Sequence, residues 1–247
     1  MFNPVPFYEF GKSKITPLLS DLISYYDGSS QYDLVGANDI SQNIGVSFTS
    51  GIIGSAFNFS GNPKFLDIAD SFTTRFGSTS PFSISIWVFP VTNTATSGGW
   101  LINKRFGNGA SNSDEYQIYL SPSYVVTFNK FNVTSPLSNY IQANGPTLPL
   151  NQWSHLVIAD NGSTNANSAN IYFNGVLFNS IYSPNGTFTG MGISNATTRI
   201  GLPRFNTTRN FQFVGKLDEI GLWKNRQLSQ SDVTKLYNGG SGRTYPF

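Results

Sequence analysis

Apolar side chains in this chain recur at every second position, in runs of five to nine residues, with Gly, Asn, Pro and Ser between the runs. A period of two sends alternate side chains to opposite faces of an extended strand, so the pattern commits the chain to β-structure. The clearest run is 82–89. Phe82, Ile84, Ile86 and Val88 share one face, and Ser83, Ser85, Trp87 and Phe89 share the other. Two large aromatics on the second face predict a strand covered on both sides. Comparable runs lie at 64–69, 116–120, 124–131, 153–159, 170–173, 176–179, 199–202 and 211–223. Asn174-Gly175 separates two of them. Both residues tolerate the positive φ of a type I′ turn, which predicts a hairpin.

One helix is predicted near the end, with Ser229 as N-cap and Asp232 three residues on, a capping-box variant. Val233, Leu236 and Tyr237 form its apolar face, and Gly239-Gly240 stop it. The segment 17–25 fits a helix or a strand. The Gly-rich segment 97–113 reads as a binding loop at a sheet edge.

Composition narrows the class. Charged residues are only 11% of the chain, while Asn, Ser and Thr fill 77 of its 247 positions and aromatics make up 15%. Such aromatic content excludes a disordered chain, and the composition excludes a coiled coil. Net charge is +2 without a Lys/Arg cluster, so nucleic-acid binding is not expected. There are no cysteines, hence no disulfides, thiolate metal sites or cysteine nucleophile. No apolar stretch approaches the ~20 residues of a membrane-spanning helix, and the first ten residues lack the basic and apolar regions of a signal peptide. A soluble protein without membrane insertion is expected. Residues 1–16, with Pro4, Pro6 and four aromatics, read as an extended N-terminal arm. It either docks on a neighbouring subunit or lies on its own domain. Residues 17–247 read as one all-β sandwich domain.

Several local patterns carry a family resemblance. Residues 51–61 hold a Gly-x-x-Gly-x-Ala-x-x-Phe-x-Gly stretch, and 81–88 an alternating strand that ends on Trp87-Val88. Gln152-Trp153-Ser154-His155-Leu156-Val157, Tyr172-Phe173-Asn174-Gly175 and Gly215-Lys216-Leu217-Asp218-Glu219-Ile220 follow in order, then Leu228-Ser229. From about Leu22 onward the chain resembles laminin-G-like, concanavalin A-like jelly-roll domains of the microbial and phage branch. The resemblance implies a sandwich of two antiparallel sheets with one short C-terminal helix, one sheet often facing ligand. It implies no single function.

The resemblance also frames the chemistry. Glycosidases on this architecture need two carboxylates on one strand face. The glutamates here are Glu9, Glu115 and Glu219, and the adjacent pairs Asp114-Glu115 and Asp218-Glu219 point to opposite faces of a strand. No catalytic residues are therefore assigned. His155, the only histidine, reads as a structural strand residue. A structural calcium ion is the one metal the resemblance implies, with Asp218 as ligand. The other reading of Asp218 is a carboxylate that accepts from backbone amides. Carbohydrate binding needs aromatic planes and amide groups. Trp100, Tyr116 and Tyr119 are candidates for the planes, with Tyr124, Tyr140 and Trp223 behind them. Asn103, Asn108 and Gln117 are candidates for the amides.

The expected function is thus a non-enzymatic bacteriophage virion structural protein, a head decoration, fibre or tail-associated component. It would sit at the virion surface as a homo-oligomer, bind other virion proteins through residues 1–16 and display a jelly-roll toward surface carbohydrate. The alternative is an extracellular or cell-surface carbohydrate-binding adhesion module of a bacterium. A polysaccharide depolymerase ranks third.

Overall fold

A computed structural model describes residues 17–61, 63–92, 98–107, 114–132, 139–204 and 209–247. Among the described residues the strands form two sheets of eight, and all pairings are antiparallel. The first sheet runs β13 (Val176–Phe178), β12 (Ala169–Phe173), β11 (Ser154–Asp160), β6 (Phe82–Pro90), β16 (Gly215–Lys224), β4 (Ser55–Asn58), β3 (Ser47–Ser50), and β1 (Leu22–Tyr26) also pairs with β16. The second runs β14 (Ile181–Asn185), β10 (Tyr140–Thr147), β9 (Val125–Phe131), β8 (Asp114–Leu120), β7 (Gly99–Arg105), β15 (Thr198–Ile200), β5 (Phe65–Ile68), β2 (Ile40–Ile44). This is the concanavalin A-like jelly-roll sandwich that the resemblance implies.

The core lies between the sheets. Phe82, Ile84, Ile86 and Val88 of β6 meet Ile118 and Leu120 of β8 and Val126 and Phe128 of β9 there. Each such buried side chain contributes about 1.5–3 kcal/mol relative to exposure. The opposite face of the first sheet is covered too, as two aromatics on it predict. A second cluster joins Tyr25, Val157, Tyr172 and Trp223 to Val233 and Leu236 of the helix α1 (Gln230–Tyr237). Trp87 stacks on Tyr237 of α1 with ring centroids 5.8 Å apart.

The local signals behave as their chemistry requires. Asn174 and Gly175 adopt φ of 48° and 81°, and Phe173 pairs with Val176 across them. Ser229 caps α1 with both halves of a capping box formed, while the stop comes from Asn238 in the left-handed region, one residue before Gly239. The segment 17–25 resolves into a 3₁₀ turn, Pro17–Leu19, followed by β1.

One expectation is corrected. The segment 97–113 is not simply an edge loop: Gly99–Arg105 is β7, an inner strand between β8 and β15. A bulge between Trp100 and Ile102 shifts the register and turns both Leu101 and Ile102 inward, which erases the alternation in the sequence. The expected arm, residues 1–16, lies outside the described residues.

Candidate functional site

Among the described residues, the helix α1 packs on the outer face of the first sheet. On the second sheet, strand register aligns one residue from each of the eight strands. Gln42 faces Asp67, Asp67 faces Arg199, Arg199 faces Asn103, and Asn103 faces Gln117. Gln117 then faces Asn129, Asn129 faces Gln142, and Gln142 faces Ser183. Every member of this row is polar. Their chain neighbours Leu66, Ile200, Ile102, Ile118, Phe128 and Ala143 all belong to the core, so alternation places the row on the outer face.

A second row runs beside it: Trp100 faces Tyr119, Tyr119 faces Thr127, and Thr127 faces Asn144. Trp100 and Tyr119 stack with centroids 4.7 Å apart and planes at 12°. On the other flank Arg105 pairs with Asp114 at 2.9 Å and lies 4.3 Å from the centroid of Phe131.

The polar row is built unevenly. Arg199 grips Asp67 through a fork of 2.7 and 2.8 Å and covers the Phe65 ring at 3.8 Å. Gln117 Oε1 accepts from Trp100 Nε1 at 3.1 Å and from Arg105 Nη1 at 2.5 Å. Asn103 Nδ2 donates to the carbonyls of Arg199 and Leu202, both at 3.2 Å. The Oδ1 atoms of Asn103 and Asn129, however, are buried and accept from no group among the described residues. A buried acceptor left without a donor costs about 1–3 kcal/mol. Two such oxygens lie in this one row.

Of the residues anticipated from sequence, Trp100, Tyr119, Asn103 and Gln117 converge on this face. Tyr116 is corrected: it is fully buried in the core against Phe76 and Phe82, because it alternates with Gln117. Trp100 is corrected in role. Only 5% exposed, with Tyr119 on its face and Phe211 at its edge, it buttresses Tyr119 rather than offering a free plane. Asn108 lies outside the described residues. Trp223 is buried in the second cluster and donates to the Leu18 carbonyl, whereas Tyr140 packs on Phe131 at the rim of the candidate face. Thr127, Asn129, Gln142 and Asn144 were not anticipated. Their signal is a polar residue at every second position, plain in the stretch Ile141-Gln142-Ala143-Asn144.

The carboxylates on this face, Asp67 and Asp114, are both held in arginine ion pairs. Glu115 is buried behind it and accepts from the amides of Ser194 and Phe76. Burial pushes its pKa up to about 7. Glu219 accepts from the Tyr25 hydroxyl, and burial pushes its pKa up to about 8. His155 is enclosed between Trp87 and Tyr237 and shares a hydrogen bond of 2.9 Å with Ser85. Burial lowers its pKa to about 3, so the ring is neutral.

Asp218 takes the backbone-amide reading. Its Oδ2 accepts from the amides of Ile52 and Ile53 at 2.9 and 3.3 Å, and its Oδ1 from that of Glu219 at 2.8 Å. N–H groups turn their positive ends toward this carboxylate, and among the described residues no three His, Cys, Asp or Glu side chains group as metal ligands. The donor set around Asp218 does not fit a calcium ion.

Residues 61–234 match the family model described as concanavalin A-like lectin/glucanases superfamily. No curated protein matches the chain. Among solved structures it is similar to the binding domain of Paraclostridial Mosquitocidal Protein 1, with a TM-score of 0.69 and 18% identity over 90% of this chain and 53% of that one. It is also similar to the binding domain of botulinum neurotoxin serotype G, with a TM-score of 0.65 and 18% identity over 87% of this chain and 50% of that one. A third is the ligand binding domain of botulinum neurotoxin serotype D in complex with N-acetylneuraminic acid, at 0.66 and 14% over 90% and 51%. The chain spans about half the length of each. At these identities the likeness is one of fold.

Proposed function

The chain belongs to the concanavalin A-like lectin/glucanases superfamily, and on that premise we propose that it is a non-catalytic binding module that takes carbohydrate on the outer face of its second sheet. The observation that carries this reading is the polar row and its two buried, unpartnered amide oxygens, Asn103 Oδ1 and Asn129 Oδ1. Sugar hydroxyls are the donors such acceptors lack. Tyr119, half-buried and held flat by Trp100, supplies an aromatic plane for the apolar face of a pyranose. A protein solved with N-acetylneuraminic acid among the similar folds supports a sugar ligand. The non-catalytic part rests on the arginine pairing of Asp67 and Asp114, which leaves neither free as general acid or base. A glycan array followed by calorimetry tests the reading. Binding to a defined glycan, weakened in Tyr119→Ala and Asn129→Val, supports it. Absence of binding to any glycan overturns it.

The finer reading we propose is display on a bacteriophage virion surface in many copies, where weak sugar contacts sum to firm attachment. The low charge and the Asn-, Ser- and Thr-rich composition support it. Mass spectrometry of purified particles tests it, and absence of the chain from particles moves the assignment to a bacterial adhesion module.

A further inference from the structure

A second cleft lies away from the polar row, where the segment after β5 meets the end of β16. It encloses about 320 Å³, and its lining includes Phe72, Arg75, Ser80, Ile193, Lys224 and Asn225. Phe72 is 82% exposed, the most exposed large apolar side chain described, and Ile193 beside it is 44% exposed. Isolated exposed apolar groups are ordinary, but an aromatic plane at the mouth of a polar cleft is a contact surface.

Charge is unbalanced here. Lys224 Nζ donates to the Phe72 carbonyl at 2.6 Å and sits 4.2 Å from the centroid of the same ring. Among the described residues no carboxylate pairs with it. Arg75 is held by Asp70 through Nε and Nη2, which leaves Nη1 without a bond among the described residues. Asp70 is shared, since buried Lys104 also binds it at 2.7 Å. Three cations therefore meet one paired carboxylate. Glu115, behind the Phe76 amide, adds less than a full negative charge near neutral pH because burial pushes its pKa up to about 7. Desolvation lowers the pKa of the Lys224 ammonium, while the nearby Glu115 charge raises it and that of Arg75 lowers it.

We propose that this cleft binds a carboxylate-bearing pyranose, such as a uronic acid, with its carboxylate on Lys224 Nζ and Arg75 Nη1 and its apolar face on Phe72. Ser80 and Asn225 flank the position of the ring hydroxyls. The site stands apart from the sheet face and does not depend on it.

Titration of the ¹⁵N-labelled full chain with glucuronate, glucose and inorganic phosphate tests this. Expected are glucuronate-induced shifts of residues 72–80 and 224–225, none with glucose at equal concentration, and weaker binding as salt rises. Lys224→Gln should weaken glucuronate about tenfold, as loss of a charge-assisted hydrogen bond does. Phe72→Ala, at an exposed position that folding does not need, should weaken it about threefold. Tyr119→Ala should leave it unchanged, which separates this site from the sheet face. Equal binding of glucose, phosphate binding as tight as glucuronate, or retention of affinity in both Lys224→Gln and Phe72→Ala would overturn the proposal.

Discussion

Asn129→Val is the substitution that separates a binding role from a structural one. Among the described residues no group donates to Asn129 Oδ1, and the residue is 5% exposed in the middle of strand β9. A structural asparagine earns stability through its partners, so losing it costs about 1–3 kcal/mol. An asparagine without partners already bears that cost in the free protein. Valine is apolar and favoured in strands. The expected change in stability is therefore between zero and a gain of about 1–3 kcal/mol. For a domain this large, each kcal/mol raises Tm by about 2–4 °C. The same change removes one acceptor from the glycan. That loss is about 0.5–1.5 kcal/mol, or roughly twofold to tenfold in Kd. Melting followed by circular dichroism gives the first quantity and calorimetry with the best array glycan gives the second. Gln117→Val is the control. It removes the oxygen that accepts from Trp100 Nε1 and Arg105 Nη1 and should lower Tm. A fall in Tm for Asn129→Val as large as that control's, with glycan affinity unchanged, would refute the reasoning.

Other expected outcomes follow from the buried polar network. Asp67→Ala leaves the 7% exposed Arg199 without its carboxylate and should destabilise by about 3–5 kcal/mol, read from urea unfolding; a change under 1 kcal/mol would contradict the ion-pair account. Ser229→Ala removes the N-cap of α1 and should cost about 0.5–2 kcal/mol by the same measurement. Glu219 has a pKa raised from 4.5 to about 8, so folding favours its protonated form. The stability this provides is complete below pH 4.5 and is lost as pH rises through 8. Glu219→Gln should therefore stabilise relative to the parent more at pH 8.5 than at pH 5, and an equal difference in urea midpoint at both pH values would refute the shift. Gly51→Ala places a β-carbon on Asp218 Oδ2 and should lower Tm by loosening its contacts with the amides of Ile52 and Ile53.

Strand β6, the Asn174-Gly175 hairpin and the capping box at Ser229 were legible because each is set by chain-local chemistry. Alternation, tolerance of positive φ and a side-chain oxygen over a helix start all act within a few residues. Strand β7 was not legible, since its bulge depends on how β8 pairs with it. Strand β10 was missed because Gln142, Asn144 and Gly145 weaken its β signal. Within the candidate site, the residue types were readable but their direction was not. Tyr116 and Tyr119 look alike as aromatics of one strand, yet one fills the core and the other lies on the outer face.

The sequence alone determined that this chain forms a two-layer β-sandwich with one covered inner strand and a short capped helix, because a period of two and the turn residues leave no other way to bury its apolar half. Only the tertiary structure decided that eight polar residues, separated by up to 157 positions from Gln42 to Arg199, fall into one row. Register between strands is set by the packing of the whole core, and no local stretch of chain encodes which residue its neighbour will face.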